Sequence, residues 1–290
     1  MKRYTKNDFE TQFPTDDTCL EFVKNARWPE GVPCKPCGKI TKHHRITGRS
    51  CYSCDWCGTQ VYPLAGTIFH KSPTSLRSWF HAIFLMASTR CGISAKQVER
   101  ELGVTYKTAW RIFKHVRMLM DEKPRKLSGH VEVDETYVGG RKPGKRGRGA
   151  AGKTIAMGLA KRQGRIVVKV VPDVKGKTLM TNVTKHVTPT STIITDDMSS
   201  YGGLRRAGFQ HLKVKHSAKV YVDGIAHTNT VDGFWSLVKR GIDGTHHAVS
   251  PKYLQAYLNE YAFRYNHRND DGPMFTTLVN RISSPAARPS

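Results

Sequence analysis

The chain has 290 residues, 38% of them hydrophobic, and sets 47 Lys+Arg against 23 Asp+Glu, for a net charge of +24 and a pI near 9.9. That length holds one domain of ordinary size plus small accessory modules, and such a charge suits a polyanionic partner. No apolar run approaches the roughly 18 residues of a bilayer span and no signal segment follows Met1, which predicts a cytoplasmic, nucleoid-associated protein with no membrane partner and with reduced cysteines.

Within residues 1–70, Cys34-Lys35-Pro36-Cys37-Gly38 and Cys54-Asp55-Trp56-Cys57-Gly58 form two C-x-x-C-G knuckles with 16 residues between them. This is the spacing of a four-cysteine zinc ribbon, in which two thiolates of each knuckle grip one structural Zn²⁺. Cys51, three residues before Cys54, leaves a different pairing open. Cys19 and Cys91 stand alone and read as packing residues.

Residues 71–125 read as helical. Leu76 to Ser88 is followed by a helix-turn-helix pattern: Ser94 caps a helix that turns Val98 and Leu102 inward, Gly103 makes the turn, and Thr105 opens a second helix with Ala109, Trp110 and Phe113 packed back. Tyr106, Lys107, Arg111 and Lys114 then face outward, as a helix in a major groove requires. An ordinary basic helical hairpin is the competing reading.

Residues 126–282 change to short β-rich runs. Val131 to Val138, Thr154 to Lys161 and Arg165 to Val171 predict a three-stranded meander, then a helix over Lys177 to Val187 and a strand over Thr192 to Thr195. The βββαβα order followed by long helices is the RNase H-like (retroviral-integrase-type) α/β arrangement, so the fold class is α+β multidomain. Alternation places Glu132, Asp134 and Thr136 on one face of the first strand and Glu135 on the other.

The loop 139–149 carries five basic residues, Arg141, Lys142, Lys145, Arg146 and Arg148, among five glycines. Those cations neutralise DNA phosphates without reading bases, unless the segment is only a solvated linker. A helix over 227–241 puts Val231, Phe234, Trp235 and Val238 on a core stripe, with Asp232 and Lys239 two turns apart on one edge. A final helix over Pro251 to His267 closes the domain, and residues 283–290 form a disordered tail.

Asp134 and Asp196 fall at strand ends, and 35 residues separate Asp196 from Asp232. Three acids gathered by a sheet and a helix, beside a lysine, form a hard-oxygen cage for Mg²⁺ or Mn²⁺ in phosphoryl transfer.

The segments Asp134-Glu135-Thr136-Tyr137-Val138-Gly139-Gly140, Thr195-Asp196, His227-Thr228-Asn229 to Lys239, and Tyr261-Ala262-Phe263-Arg264-Tyr265-Asn266 together resemble insertion-sequence transposases of the IS1595 type, with their ISXO2-like DDE domain. The resemblance implies Asp134 and Asp196 as the first two acids and Lys239 as a holder of DNA phosphate. The third ligand, commonly glutamate in that family, is here either Asp232, shorter by one bond or roughly 1.5 Å, or Asn229. A carboxylate suits a hard cation better than an amide, which favours Asp232.

It also implies a two-metal enzyme that binds double-stranded DNA at terminal inverted repeats, cuts it, and joins the end to target DNA as a homodimer or larger synaptic assembly. The competing readings are a transposase-derived DNA-binding repressor without catalysis and an RNase H-like structure-specific nuclease.

Overall fold

The computed structural model describes residues 4–89, 91–123, 125–139, 152–214, 222, 224 and 226–283. Contacts divide the chain into two units, Met1–Met120 with Asp270–Ser290, and Asp121–Asn269.

Two capping boxes open the first unit. The Thr5 hydroxyl accepts from the Asp8 amide and starts α1 (Lys6–Gln12), and Thr15 with Thr18 does the same for α2 (Asp16–Arg27). A two-stranded hairpin, β1 (Pro33–Cys34) and β2 (Lys39–Ile40), precedes an antiparallel sheet of β3 (His43–Arg45), β4 (Tyr52–Cys54) and β5 (Gln60–Val61). Then come α3 (Leu76–Ser88), α4 (Ala95–Leu102) and α5 (Tyr106–Leu119); Ser94 and Thr105 cap the last two, and Gly103 ends α4 in the left-handed conformation. Only the T-x-x-D and T-x-x-T spacings signal α1 and α2 ahead of the structure.

The second unit is a sheet between two helical layers. Its meander is β6 (His130–Val138), β7 (Thr154–Lys161) and β8 (Ile166–Val171); α6 (Gly176–His186) crosses to β9 (Thr192–Asp196), which lies parallel to β6. A fifth strand, β10 (Gln210–Val214), pairs parallel with β9 and completes the order β10-β9-β6-β7-β8. Val131 and Val133 of β6 turn toward Leu179, Val183 and Tyr201 on one face. On the other face Ala156, Ala160 and Val168 meet α7 (Asn229–Gly241) and α8 (Leu254–Asn266) through Val231, Trp235, Leu258 and Tyr261. Because side chains alternate along a strand, Glu132 and Asp134 face the α7 layer while Glu135 faces the other, where the Tyr201 hydroxyl donates to it.

The chain returns to the first unit with α9 (Met274–Asn280), rather than remaining with the five-stranded sheet as the 126–282 boundary expected. Its Phe275 stacks on Tyr4 with ring centroids 4.6 Å apart and meets Phe9, Phe13 and Phe84 edge to face. Among the described residues no helix is long and apolar enough to cross a membrane.

Candidate active site and metal centre

The four knuckle cysteines converge, with their Sγ atoms all within 4.8 Å of one another. Cys34 to Cys57 measures 3.4 Å and Cys37 to Cys54 4.0 Å. Tetrahedral Zn–S bonds of about 2.3 Å place sulfurs about 3.8 Å apart, so the cluster fits that ion. Gly38 (φ 67°) and Gly58 (φ 73°) supply the left-handed residue that closes each knuckle, and each donates its N–H to the first cysteine carbonyl, Cys34 at 3.0 Å and Cys54 at 2.9 Å.

The Thr41 hydroxyl, 3.1 Å from Cys54 Sγ, pulls that thiol down to about 6, whereas hydrogen bonding from the neighbouring thiols of Cys57 and Cys34 pushes Cys37 up to about 12. Thiols that cannot all ionise beside one another become thiolates together only around a cation. Cys51 is buried and pairs with Gln60 instead, and Cys19 is a core residue, but Cys91 is exposed rather than packed.

In the second unit the sheet and α7 bring Asp134, Asp196, Asp232 and Lys239 into one electrostatic neighbourhood. Asp134 is raised from 3.8 to about 7, chiefly by burial and then by the Asp232 charge; Asp196 adds to the rise, and the Glu135 amide and Lys239 oppose it. Asp232 sits in the first turn of α7 and accepts the Thr228 hydroxyl at 2.8 Å; Lys239 is in the last turn, and both are exposed. Asp196 ends β9 and accepts the Met198 amide at 3.1 Å. Asn229 is the exposed first residue of α7, one turn before Asp232.

Among the described residues only the four cysteines gather three or more such ligand atoms within 4.8 Å. A carboxyl raised first by burial and then by two neighbouring acids is one that a divalent cation would help to ionise.

On α5, Tyr106, Lys107 and Lys114 are exposed. Arg111 is not outward as expected: its Nη2 donates to Ser72 Oγ at 3.0 Å and Thr74 Oγ1 at 3.1 Å, and its guanidinium lies over Trp79. The expected phosphate contacts Arg141, Lys142, Lys145, Arg146 and Arg148, and the tail 284–290, lie outside the described residues.

Residues 126–266 match the ISXO2-like transposase domain, and residues 14–60 match the transposase zinc-ribbon domain. The chain belongs to the IS1595 transposase family. This transposase is 27% identical over 282 residues to an uncharacterized protein in transposable element ISH50 of Halobacterium salinarum, covering 87% of the chain and 91% of that relative. An uncharacterized transposase-like protein of Haemophilus influenzae is 27% identical over 103 residues, 36% of the chain and 82% of the relative. A crystal structure of a pre-cleavage Mos1 transpososome aligns over 73% of the transposase and 80% of that chain at 11% identity, with a TM-score of 0.27.

Glu132 lies on the Asp134 face of β6, as the alternation predicts, but nothing in its neighbours foretells that it is fully buried against Arg162 and the start of α7. A carboxylate flanked by Val131 and Val133, two residues before a candidate ligand, is the available signal.

Proposed function

We propose that this transposase binds the terminal inverted repeats of its own insertion sequence and catalyses metal-dependent strand cleavage and strand transfer. The observation that carries the catalytic part is the raised Asp134 carboxyl, whose causes include Asp232 and Asp196. The sheet order, with β9 added parallel to the first strand of a meander, supports an RNase H-like catalytic unit.

Asp134 and Asp196 would hold Mg²⁺ or Mn²⁺ with Asp232 as the third ligand, and a divalent ion bound there would supply Lewis-acid activation of the attacking oxygen and charge stabilisation for the leaving one. Asp232 and Lys239 share α7, so one rigid helix fixes both a ligand and a cation for a DNA phosphate. Asn229 stays the rival third ligand because it precedes Asp232 by one turn.

The zinc ribbon holds its strands through Cys34, Cys37, Cys54 and Cys57. The α4–α5 pair acts as a helix-turn-helix, presenting Tyr106, Lys107 and Lys114 to DNA. Arg111 instead fastens α5 to the segment before α3. Joining two ends calls for a homodimer or larger synaptic assembly.

The test is cleavage and strand transfer on a labelled duplex bearing the element's terminal repeat, with Mg²⁺ or Mn²⁺. Joined products that vanish in Asp134→Ala and Asp232→Ala but persist in Asn229→Ala are expected. Loss through Asn229 alone moves the third ligand there. Tight repeat binding by folded wild type with no cutting refutes the enzyme and leaves a repressor; cutting without repeat preference or joining leaves a nuclease.

A further inference from the structure

The neighbourhood of Asp134 contains a second buried carboxylate that faces the same helix. Glu132 is fully buried in β6. It accepts the backbone N–H groups of Thr230 at 2.7 Å and Val231 at 3.1 Å, the Thr230 hydroxyl at 2.9 Å, and Arg162 Nε at 2.8 Å. His227 Nδ1 lies 3.2 Å away without a hydrogen bond to it. Arg162 completes the arrangement by donating its Nη2 to the His227 carbonyl at 3.0 Å. With both carboxylate oxygens engaged by protein donors, Glu132 has little left to offer a metal. What it does have is a grip on the first turn of α7, where unpaired N–H groups and the positive end of the helix dipole favour an anion.

Gly158 acts on the same helix one strand away. It is the ladder partner of Asp134, and a Cβ there would meet Trp235 Cζ2 at 2.8 Å and Val231 Cγ2 at 3.0 Å. The missing side chain lets α7 lie directly on the strand that pairs with Asp134. Glu132 sets where the helix starts and Gly158 sets how closely it seats.

We propose that the Glu132–Arg162 pair and Gly158 form a seat that fixes the gap between Asp134 and the polar first turn of α7, which makes Glu132 a positioning residue of the metal site. This rests on the catalytic reading above. Each residue of helical slip turns a side chain by about 100°, so a start shifted by one residue carries Asp232 off the sheet-facing edge. A methyl at position 158 must push α7 outward by a fraction of an ångström or more, and misplacement on the scale of 1 Å can cost about 100-fold in rate.

The experiment uses the full zinc-loaded chain as wild type, Glu132→Gln and Gly158→Ala, with two readouts. Amide exchange by mass spectrometry across 228–238 is expected to accelerate about tenfold or more in both variants, with the β6–β7 ladder unchanged. Cleavage of the terminal-repeat duplex, followed against Mn²⁺ concentration, is expected to fall about 100-fold in kcat with a higher half-saturating Mn²⁺, while duplex affinity stays within about twofold. Retention of wild-type cleavage and Mn²⁺ response despite faster α7 exchange overturns the proposal, as does unchanged α7 exchange in a folded variant. If Glu132→Gln does not fold, Gly158→Ala decides. If wild type cuts nothing, the catalytic reading fails by itself, and the exchange readout alone upholds or sinks the seat.

Discussion

Asp134→Asn is expected to stabilise the catalytic unit at neutral pH while abolishing cleavage. In the native chain Asp134 titrates near 7 against 3.8 for the unperturbed group. At about 1.4 kcal/mol per pH unit, the full difference is about 4 kcal/mol, and screening at this partly open position makes about 2–4 kcal/mol the working range. The folded state holds a proton that the unfolded chain has released between pH 3.8 and 7. Stability contributed by this group is therefore complete below pH 3.8 and is lost as pH rises through 7.

Asparagine removes the titration, so the variant should match wild type near pH 4 and gain steadily to a plateau above pH 7. Trp235 is the sole tryptophan of residues 121–269, so ¹⁹F NMR of the fluorotryptophan-labelled chain during urea titration isolates this unit. The series is run without Mg²⁺ and without chelators, which would strip zinc. Adding Mg²⁺ should then stabilise wild type and leave the variant unmoved. An advantage that is equal at pH 4 and pH 8, or absent at pH 8, would refute the argument.

Cys54→Ser should drop bound zinc from one equivalent to well below one, measured by metal analysis after gel filtration, and should speed proteolysis within 33–62; full retention of zinc would mean that Cys54 is not a ligand. Gly241→Ala would drive its Cβ into the Tyr261 hydroxyl and should cost about 1–3 kcal/mol in urea denaturation, with Tyr261→Phe recovering part of the loss; additive effects would show that the two helices do not meet there. Arg264→Met removes a charged donor from the fully buried Glu260, whose Oε1 accepts Arg264 Nη2 at 2.7 Å, and should cost about 1.5–3 kcal/mol; a change under about 0.5 kcal/mol would contradict the pairing. For duplex DNA, raising salt from 50 to 200 mM should weaken binding by roughly 10³-fold or more if about six phosphates are neutralised, read from a log–log titration.

Much of this architecture was legible where a local pattern mapped directly onto geometry. The two C-x-x-C-G knuckles form the sulfur cluster, and the alternation in Val131 to Val138 puts Asp134 and Glu135 on opposite faces of β6. The acid–lysine pair two turns apart on α7 likewise lands beside Asp134. What was missed depended on distant partners. Gln210–Val214 is a short edge strand with polar residues at 210, 211 and 213, and only β9 beside it makes it a strand. Arg111 has the helical phase of an outward residue, yet Ser72, Thr74 and Trp79 draw it inward. Glu132 meets α7 98 residues away, so no window of sequence shows both halves of the contact.

The placement of α9 with the amino-terminal helices has a consequence for the order of synthesis. The ring of Phe275 fills an aromatic cluster built from Tyr4, Phe9, Phe13 and Phe84, so the first unit lacks a wall of its core until the ribosome has passed through the whole of Asp121–Asn269. Most domains can settle as soon as their own stretch emerges. Here the amino-terminal helices must wait for a segment translated after the whole second unit. A gene copy cut short after the catalytic strands would release a product with an incomplete first core, exposed to proteolysis, so frameshifted copies of this element should poorly supply stable DNA-binding competitors of the intact protein.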